Sequence, residues 1–379
     1  MVKGMKNMIG SSYPIKVPGK LMIAGEYAVL EPGHKAIVVA VDRYIRAHIK
    51  VSQENILSLP QLGLEDIKWS VKNGKVEFSV ADPRLSFIQN SITVVSQFLK
   101  EKSIGVKRFH LKIESQLNEP VTGKKYGLGS SAAIVVAVVS AILSIHSFHN
   151  EKYELDEIFK LSVIAHFKSQ GSGSGADIAA ALYGGWLQYS AFSGQWLLSQ
   201  LKEGTKITDL IARQWSYLFV DKLSPPDQLI LAVAWTKEAA STKFMIKRIS
   251  DFRKEDPASY NEFLRESAIF VDALIESFKA GNIDEAIKNL KLNRKALLKL
   301  GEKAGLEIET EELKKLASIA EAFGSGKQSG AGGGDCGIAF IKNPEQIEDL
   351  YRAWELEGII PLNLKVSKKG LSIEEVCED

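Results

Sequence analysis

The most constraining feature of this chain is a glycine-rich turn that leads directly into a mostly apolar segment. Residues 126–133 read YGLGSSAA, and the apolar run extends from Ala132 to Ile145. The run is too short to span a bilayer, so we expect a buried helix. Amide groups exposed at the start of such a helix bind anions, and the turn is therefore a candidate phosphate cradle.

The backbone explains why this turn suits a phosphate group. Gly127 and Gly129 can adopt positive φ and carry no Cβ, so successive N–H groups can converge on phosphate oxygens. Of the hydroxyls of Ser130 and Ser131, one can cap the helix and the other can hold a phosphate-bound magnesium ion. The alternative is a turn and helix cap that bind no ligand, and the loop alone leaves both open.

Two better-known glycine loops do not fit. Gly127, Gly129 and Ala132 match G-x-G-x-x-A, but the segment NEPVTGKKY separates them from the preceding predicted strand, Phe109 to Leu117. A dinucleotide fingerprint requires the strand to lead directly into the loop. A P-loop is absent at Gly326-Lys327, because Glu321 replaces its first glycine.

The composition indicates a globular protein with two domains. The chain has 379 residues, of which 45% are hydrophobic and 25% charged, and its net charge of +2 argues against nucleic-acid binding. Its two cysteines, Cys336 and Cys377, form neither a disulfide framework nor a metal-binding spacing, which favours the cytoplasm. Lys3 and Lys6 are not followed by an apolar block, so neither a signal peptide nor a membrane anchor is expected.

The order of helix and strand signals divides the chain. The two prolines of LSPPDQ (223–228) predict a boundary between domains 1–222 and 223–379. In the first domain, the patterns predict strands at 37–41, 44–51, 75–80 and 109–117 and helices at 85–100, 132–145 and 155–168. In the second, they predict strands at 229–235, 338–341 and 359–366 and helices at 241–250, 257–280, 282–301, 310–323 and 344–356. This order predicts an α+β domain with strands at its two sequence ends.

Three segments in order resemble the motifs of the GHMP kinases, which phosphorylate small molecules. They are PGKLMIAGEYAVLEPG (18–33), YGLGSSAA and SGAGGGDCGIAF (329–340). The resemblance spans nearly the whole chain and implies an α+β GHMP kinase fold. In that fold, the N-terminal domain resembles ribosomal protein S5 domain 2, the C-terminal domain is ferredoxin-like, and the active site lies between them.

Within these kinases the chain is most similar to the phosphomevalonate kinases. The pointers are Tyr27, where mevalonate kinases usually have histidine, GADIAAALYGGW (175–186), WTKEAAST (235–242) and the aspartate of GGGDCG. The resemblance implies ATP-dependent phosphorylation of (R)-5-phosphomevalonate to 5-diphosphomevalonate, with ATP and Mg²⁺ as cofactors, in a monomer or homodimer. The alternatives are another GHMP kinase, such as mevalonate kinase, or a non-catalytic regulator with this fold.

The resemblance also implies residue roles. Asp177 corresponds to the catalytic aspartate, Lys20 to the lysine beside the transferred phosphoryl group, and Ser131 to the protein ligand of Mg²⁺. The ATP phosphates would contact Gly127, Leu128, Gly129, Ser130, Ser131 and Ala132. The substrate would contact Lys20, Tyr27, Ser241, Gly330, Ala331 and Gly332.

The chain departs from the family at two places. His166 stands where mevalonate kinases carry a glutamate that binds a second magnesium, and residues 122–125 lack the proline that many relatives have before the phosphate loop. From the residues alone, Asp177 can also be a simple helix cap. Basic side chains should line a pocket for two anions, and the candidates are Lys20, Lys124, Lys125, Lys237 and Lys243.

Overall fold

The structure is a computed structural model that describes residues 11–146 and 153–377. Lys3 and Lys6 lie outside this range. The helices are α1 (Ser86–Glu101), α2 (Ser130–Ile145), α3 (Leu155–Gln170), α4 (Ala176–Tyr183), α5 (Gly194–Lys202), α6 (Ile207–Ala212), α7 (Thr242–Glu255), α8 (Pro257–Lys279), α9 (Ile283–Ala304), α10 (Glu311–Ala320) and α11 (Ile347–Leu356). The strands are β1 (Ser11–Ala24), β2 (Lys35–Val51), β3 (Ile56–Leu59), β4 (Leu64–Lys72), β5 (Lys75–Phe78), β6 (Phe109–Ser115), β7 (Trp186–Ser190), β8 (Phe219–Leu223), β9 (Ile230–Trp235), β10 (Gly324–Gln328), β11 (Cys336–Ile341), β12 (Ile360–Pro361), β13 (Ser372–Ile373) and β14 (Val376–Cys377).

The first sheet is built around β1 and β2. Its strand order is β13-β1-β2-β6-β3-β4-β5, β7 and β8 continue from β2, and β14 pairs with β1. In β1 the side chains of Ile15, Val17, Leu21 and Ile23 are buried at alternate positions, as expected for a strand with one face on the core. A register shift between Pro18 and Gly19 accommodates the proline within the strand.

Helix α2 forms the centre of the first core. The predicted apolar run is helical and buried from Ala132 to Ile145, except for the partly exposed Ile134 and Ser144. Helices α1 and α3 and strands β1 and β2 pack around it. A helix that is apolar on nearly all sides is stable only inside such a core. No helix in the described ranges is long and apolar enough to cross a membrane.

The second sheet is formed by strands that follow the two-proline segment 223–228 in the sequence. Its strand order is β10-β11-β9-β12, and all its pairings are antiparallel. Three of the helices that accompany it begin at side-chain caps: Asp256 accepts a hydrogen bond from Ser259 N before α8, Asn282 from Glu285 N before α9, and Thr310 from Leu313 N before α10. The α+β architecture expected from the sequence is confirmed.

Most predicted elements are present, with three kinds of difference. The two strands predicted at 37–41 and 44–51 form the single strand β2, and the helix predicted at 241–250 extends to Glu255. The strand predicted at 359–366 is wrong beyond Pro361, because the chain there returns to the first sheet. Sequence patterns missed β1, β3, β4, β7, β8, β10, β13, β14, α5 and α6.

The end of the chain belongs structurally to the first sheet. Strands β13 and β14 pair with β1, and Val366 pairs with Val41. Gly185 N donates to Ser367 O, and Leu371 N donates to Leu182 O. The boundary after residue 222 stays a prediction. The pairings of residues 366–377 differ from it, because they place this part of the predicted second domain in the first sheet.

This return can be tested at Gly370, which packs against the end of α4. A Cβ at Gly370 would overlap the backbone oxygen of Leu182, although the φ of this glycine is not positive. We expect Gly370→Ala to reduce the free energy of unfolding by about 1–3 kcal/mol, measured by urea denaturation. The control is Gly105→Ala, where a Cβ meets no atom and the change should stay within about 0.5 kcal/mol. Equal stabilities would contradict this packing.

Candidate active site

The predicted phosphate cradle lies between β6 and α2, against β1. Gly127 and Gly129 have φ of 83° and 75°, and Gly129 occupies the N-cap position of α2 in the left-handed conformation. Leu128 is buried, and its carbonyl accepts a hydrogen bond of 2.9 Å from Lys20 N. Neither serine caps the helix by a side-chain hydrogen bond. The first amides of α2 are therefore not occupied by a serine cap.

Ser131, His166 and Asp177 come together from three helices. Ser131 Oγ lies 3.3 Å from His166 Nε2, and both His166 and Asp177 line the cleft. Burial lowers the pKa of His166 below its ordinary 6.5, and the Asp177 carboxylate opposes that shift. The N-cap of α4 is Gly175, so the interpretation of Asp177 as a simple helix cap is wrong.

Residues 171–175, which read GSGSG and have the composition of a flexible linker, form a tight loop before α4. Ser174 O accepts a hydrogen bond of 2.5 Å from Tyr189 OH, whose ring is fully buried in the first core. Gly173 and Ser174 form part of the cleft wall next to Asp177. Because this loop is anchored, it fixes the position of the first turn of α4. The Asp177 side chain in that turn is thereby held at the cleft.

The third glycine-rich segment closes the cleft from the C-terminal domain. Gly330, Ala331 and Gly332 line it, and Ala331 O accepts a hydrogen bond of 2.5 Å from Tyr27 OH. Ser329 Oγ accepts from Met22 N and donates to Met22 O, both at 3.0 Å. These bonds join the first and third motifs directly.

The remaining predicted residues are placed unequally. Lys20 and Tyr27 line the cleft, whereas Ser241 is exposed and lies beside the lining residues Ala240 and Thr242. Of the candidate lysines only Lys20 lines the cleft. The cleft lining does not include the other four candidates, which are Lys124, Lys125, Lys237 and Lys243. Lys124 Nζ lies 3.5 Å from Lys237 O.

Sequence reasoning did not assign Asp335 a role in the site. Its carboxylate lies where a Cβ of Gly127 would collide, so the second and third motifs touch here. Burial raises the pKa of Asp335 above its ordinary 3.8, against the opposing effects of a hydrogen bond from Ala240 N and of Lys20 and Lys125. The sequence signal that could have identified it is the aspartate of GGGDCG, which is one of the marks of similarity to the phosphomevalonate kinases.

Glu26 and Lys327 form a buried ion pair at the base of the cleft. The side chains are 2% and 0% exposed, and Lys327 Nζ donates to Glu26 Oε1. Nζ also donates to Ile23 O and Gln328 O, at 3.2 Å and 2.8 Å. The pair was missed because Glu26 and Lys327 are 301 residues apart in the sequence.

Comparison with known sequences defines the class of protein. Residues 90–185 match the family model described as GHMP kinases N terminal domain, and residues 274–359 match GHMP kinases C terminal. The fold and the three joined motifs thus belong to a GHMP kinase.

Individual relatives narrow this class. Phosphomevalonate kinase from Streptomyces sp. (strain CL190) is 32% identical, and the match covers 93% of this chain and 97% of that protein. A Listeria innocua protein, Lin0012, has a structure that matches with a TM-score of 0.89 and 36% identity, over 96% of this chain and 99% of that chain. Streptococcus pneumoniae phosphomevalonate kinase in complex with phosphomevalonate and AMPPNP matches with a TM-score of 0.79 and 28% identity, over 93% and 99%. The chain belongs to the phosphomevalonate kinase family, which confirms the resemblance seen in its motifs.

The raised pKa of Asp335 makes stability depend on pH. Because its pKa is higher in the folded chain, ionisation opposes folding, and this cost develops as pH rises through the folded pKa. We expect Asp335→Asn to be more stable than the wild type at pH 7, with the difference shrinking as pH falls towards 3.8. Urea denaturation at several pH values measures this. The exposed Asp227→Asn is the control, and a pH-independent difference at position 335 would contradict the assignment.

Proposed function

We propose that the cleft transfers the γ-phosphoryl group of ATP to the phosphate of (R)-5-phosphomevalonate, giving 5-diphosphomevalonate and ADP. The observation that carries this proposal is the meeting of Gly127 of the phosphate loop, Lys20, Asp177 and the closing loop of residues 329–332 in one cleft. Membership of the phosphomevalonate kinase family supports the choice of acceptor. So does the S. pneumoniae relative, whose complex contains phosphomevalonate and AMPPNP.

The phosphate loop would hold the ATP phosphates through its amides. Gly129 precedes α2 in the left-handed conformation, and the positive end of this helix dipole favours anions at its first turn. The loop is tied to β1 through the hydrogen bond from Lys20 N to Leu128 O. The Lys20 side chain lies against Gly129, where a Cβ would collide with its carbons, so it is next to the amides that would receive the phosphates. There it can stabilise charge on the group in transfer.

The residues present fit a magnesium ion that is held mainly by the nucleotide. Ser131 Oγ and the Asp177 carboxylate are oxygen donors, which magnesium prefers, and both lie in the first turn of a helix. Asp177 lines the cleft, and Ser131 contacts the lining residue His166. The described residues contain no group of three or more His, Cys, Asp or Glu side chains that could hold a metal alone. When bound, the ion neutralises phosphate charge. Ser131 would be its protein ligand, with His166 fixing the direction of the hydroxyl.

The acceptor makes a strong general base unnecessary. A phosphate monoester has a second pKa of about 6, so its oxygen is largely deprotonated at pH 7, unlike the hydroxyl of an alcohol. Phosphoryl transfer depends mostly on positioning and charge stabilisation. We therefore assign Asp177 a positioning role. Its backbone is fixed by the anchored GSGSG loop, and its Oδ1 accepts a hydrogen bond from Ile178 N.

The proposal places the reaction in the cytoplasm, where a buried thiol such as that of Cys336 stays reduced. The Cys336 thiol donates to Tyr126 O, immediately before the phosphate loop. This thiol is therefore a packing group beside the site. A monomer or homodimer remains the expected assembly.

An ADP-release assay tests the acceptor directly. Purified protein is supplied with ATP and Mg²⁺ and, in separate reactions, phosphomevalonate, mevalonate, homoserine or galactose. We expect turnover with phosphomevalonate at a kcat/KM at least about 100-fold above the others, because a site built for a buried polar group rejects ligands that lack it. Turnover with mevalonate alone would replace this function by that of a mevalonate kinase.

Lys20 should act on the transferred group more than on nucleotide binding. We expect Lys20→Ala to lower kcat by about 100-fold or more, as when one charge-stabilising donor is lost, with little change in ATP affinity. Steady-state kinetics and nucleotide titration separate these effects. Lys16→Ala is the matched control, since Lys16 is on the same strand but lies over the Tyr44 ring, outside the cleft. Unchanged turnover in Lys20→Ala would remove this lysine from the chemistry.

A further inference from the structure

The Glu26 carboxylate has one oxygen that the protein does not use. Lys327 Nζ donates to three oxygens, namely Ile23 O, Gln328 O and Glu26 Oε1. Only the ammonium form can donate to all three, since a neutral amine has two N–H groups. Burial lowers the pKa of Lys327, and the contact with Glu26 opposes that shift. The ammonium ion therefore faces a carboxylate, and this interaction occupies Oε1.

The second oxygen, Oε2, is buried and has no hydrogen-bond partner among the described residues. A buried acceptor left unpaired costs about 1–3 kcal/mol, and more when it is charged. Glu26 nevertheless lines the cleft, as do Lys20, Met22 and Tyr27. An unpaired carboxylate oxygen at this position is suited to accept a hydrogen bond from a bound ligand.

The chemistry of the acceptor substrate identifies which group this is. Phosphomevalonate carries a carboxylate and a phosphate at its two ends, and both accept hydrogen bonds and repel Glu26 at pH 7. Its only donor is the hydroxyl at carbon 3, in the middle of the molecule. A carboxylate oxygen in the cleft wall is therefore complementary to the 3-hydroxyl and to no other group of this substrate.

We propose that Glu26 is a specificity residue that accepts a hydrogen bond from the 3-hydroxyl of phosphomevalonate, with Lys327 holding the carboxylate in place. This inference rests on the proposed function. Lys327 lies in β10 and Glu26 follows β1, so the ion pair that positions the accepting carboxylate connects the two sheets. The contact would favour 3-hydroxy acids over substrates of equal charge that lack the hydroxyl.

The test compares phosphomevalonate with its 3-deoxy analogue, 3-methyl-5-phosphooxypentanoate, as substrates. For the wild type we expect kcat/KM to fall about 10- to 100-fold when the hydroxyl is removed, the effect of one charge-assisted hydrogen bond. In Glu26→Gln the ratio of the two kcat/KM values should fall to a few-fold. In the double variant Glu26→Met/Lys327→Met it should approach one, since neither an acceptor nor an unpaired lysine remains.

The matched control is Glu31→Gln in the same motif. Glu31 pairs with Arg253 and Tyr260 and does not line the cleft, so this variant should keep the wild-type ratio. Wild-type turnover of both substrates with equal kcat/KM would overturn the role of Glu26 and leave the proposed function standing. A wild-type ratio in both Glu26 variants, with equal losses on the two substrates, would also overturn it. Failure of the wild type to use phosphomevalonate at all would instead refute the proposed function.

Discussion

Strand β1 holds the site together because all three glycine-rich motifs make hydrogen bonds at or beside it. Lys20 N donates a hydrogen bond to the carbonyl of Leu128 in the phosphate loop. Two residues further along the strand, Met22 makes two hydrogen bonds with the Ser329 hydroxyl. Beyond the strand, Glu26 meets Lys327. A shift of β1 would therefore displace the phosphate loop and the closing loop together. The strand itself is fixed by its long antiparallel pairing with β2 and by the last strands of the chain.

Strained backbone conformations occur where these motifs meet, as they do at four residues elsewhere in the described part of the chain. Tyr27, Lys237 and Asp335 are non-glycine residues with φ of 61°, 65° and 60°, and Tyr27 and Asp335 line the cleft. Such conformations cost about 1–3 kcal/mol each and persist only where the surroundings fix them. For Tyr27, the hydrogen bond to Ala331 O provides part of this constraint, and for Asp335 the hydrogen bonds from Thr236 to its carbonyl do so. The strain thus accompanies the side chains that face the proposed ligands.

Charge in the cleft suits the two anionic ligands proposed for it. The positive contributions come from loop amides, the start of α2 and Lys20, whereas Asp177, Glu26 and Asp335 are acidic. The negative charge of two of these acids is reduced by their surroundings. Lys327 pairs with Glu26, and burial raises the pKa of Asp335, which favours its neutral form. Lys327 is not exposed to the ligands, so its effect reaches them only through the carboxylate it orients. An unpaired acid in the same place would repel both substrates.

The sequence by itself determined the α+β class, the buried helix α2 and the phosphate loop before it. These features depend on local signals: an apolar run of helical length, glycines that permit positive φ, and three motifs that are each continuous in the chain. The resemblance to the GHMP kinases predicted Lys20, Tyr27, Asp177 and the 330–332 loop, all of which line the cleft. The roles of these residues and of Ser241 stay predictions.

Only the tertiary structure brought distant residues together. Glu26 and Lys327 lie in separate motifs, and no local pattern pairs a glutamate with a lysine 301 positions away. The same holds for the contact of Gly127 with Asp335 and for the return of the last strands to β1. Such pairings depend on the packing of two sheets, because hydrogen-bond geometry and burial are set by atoms that are neighbours in space and not in sequence.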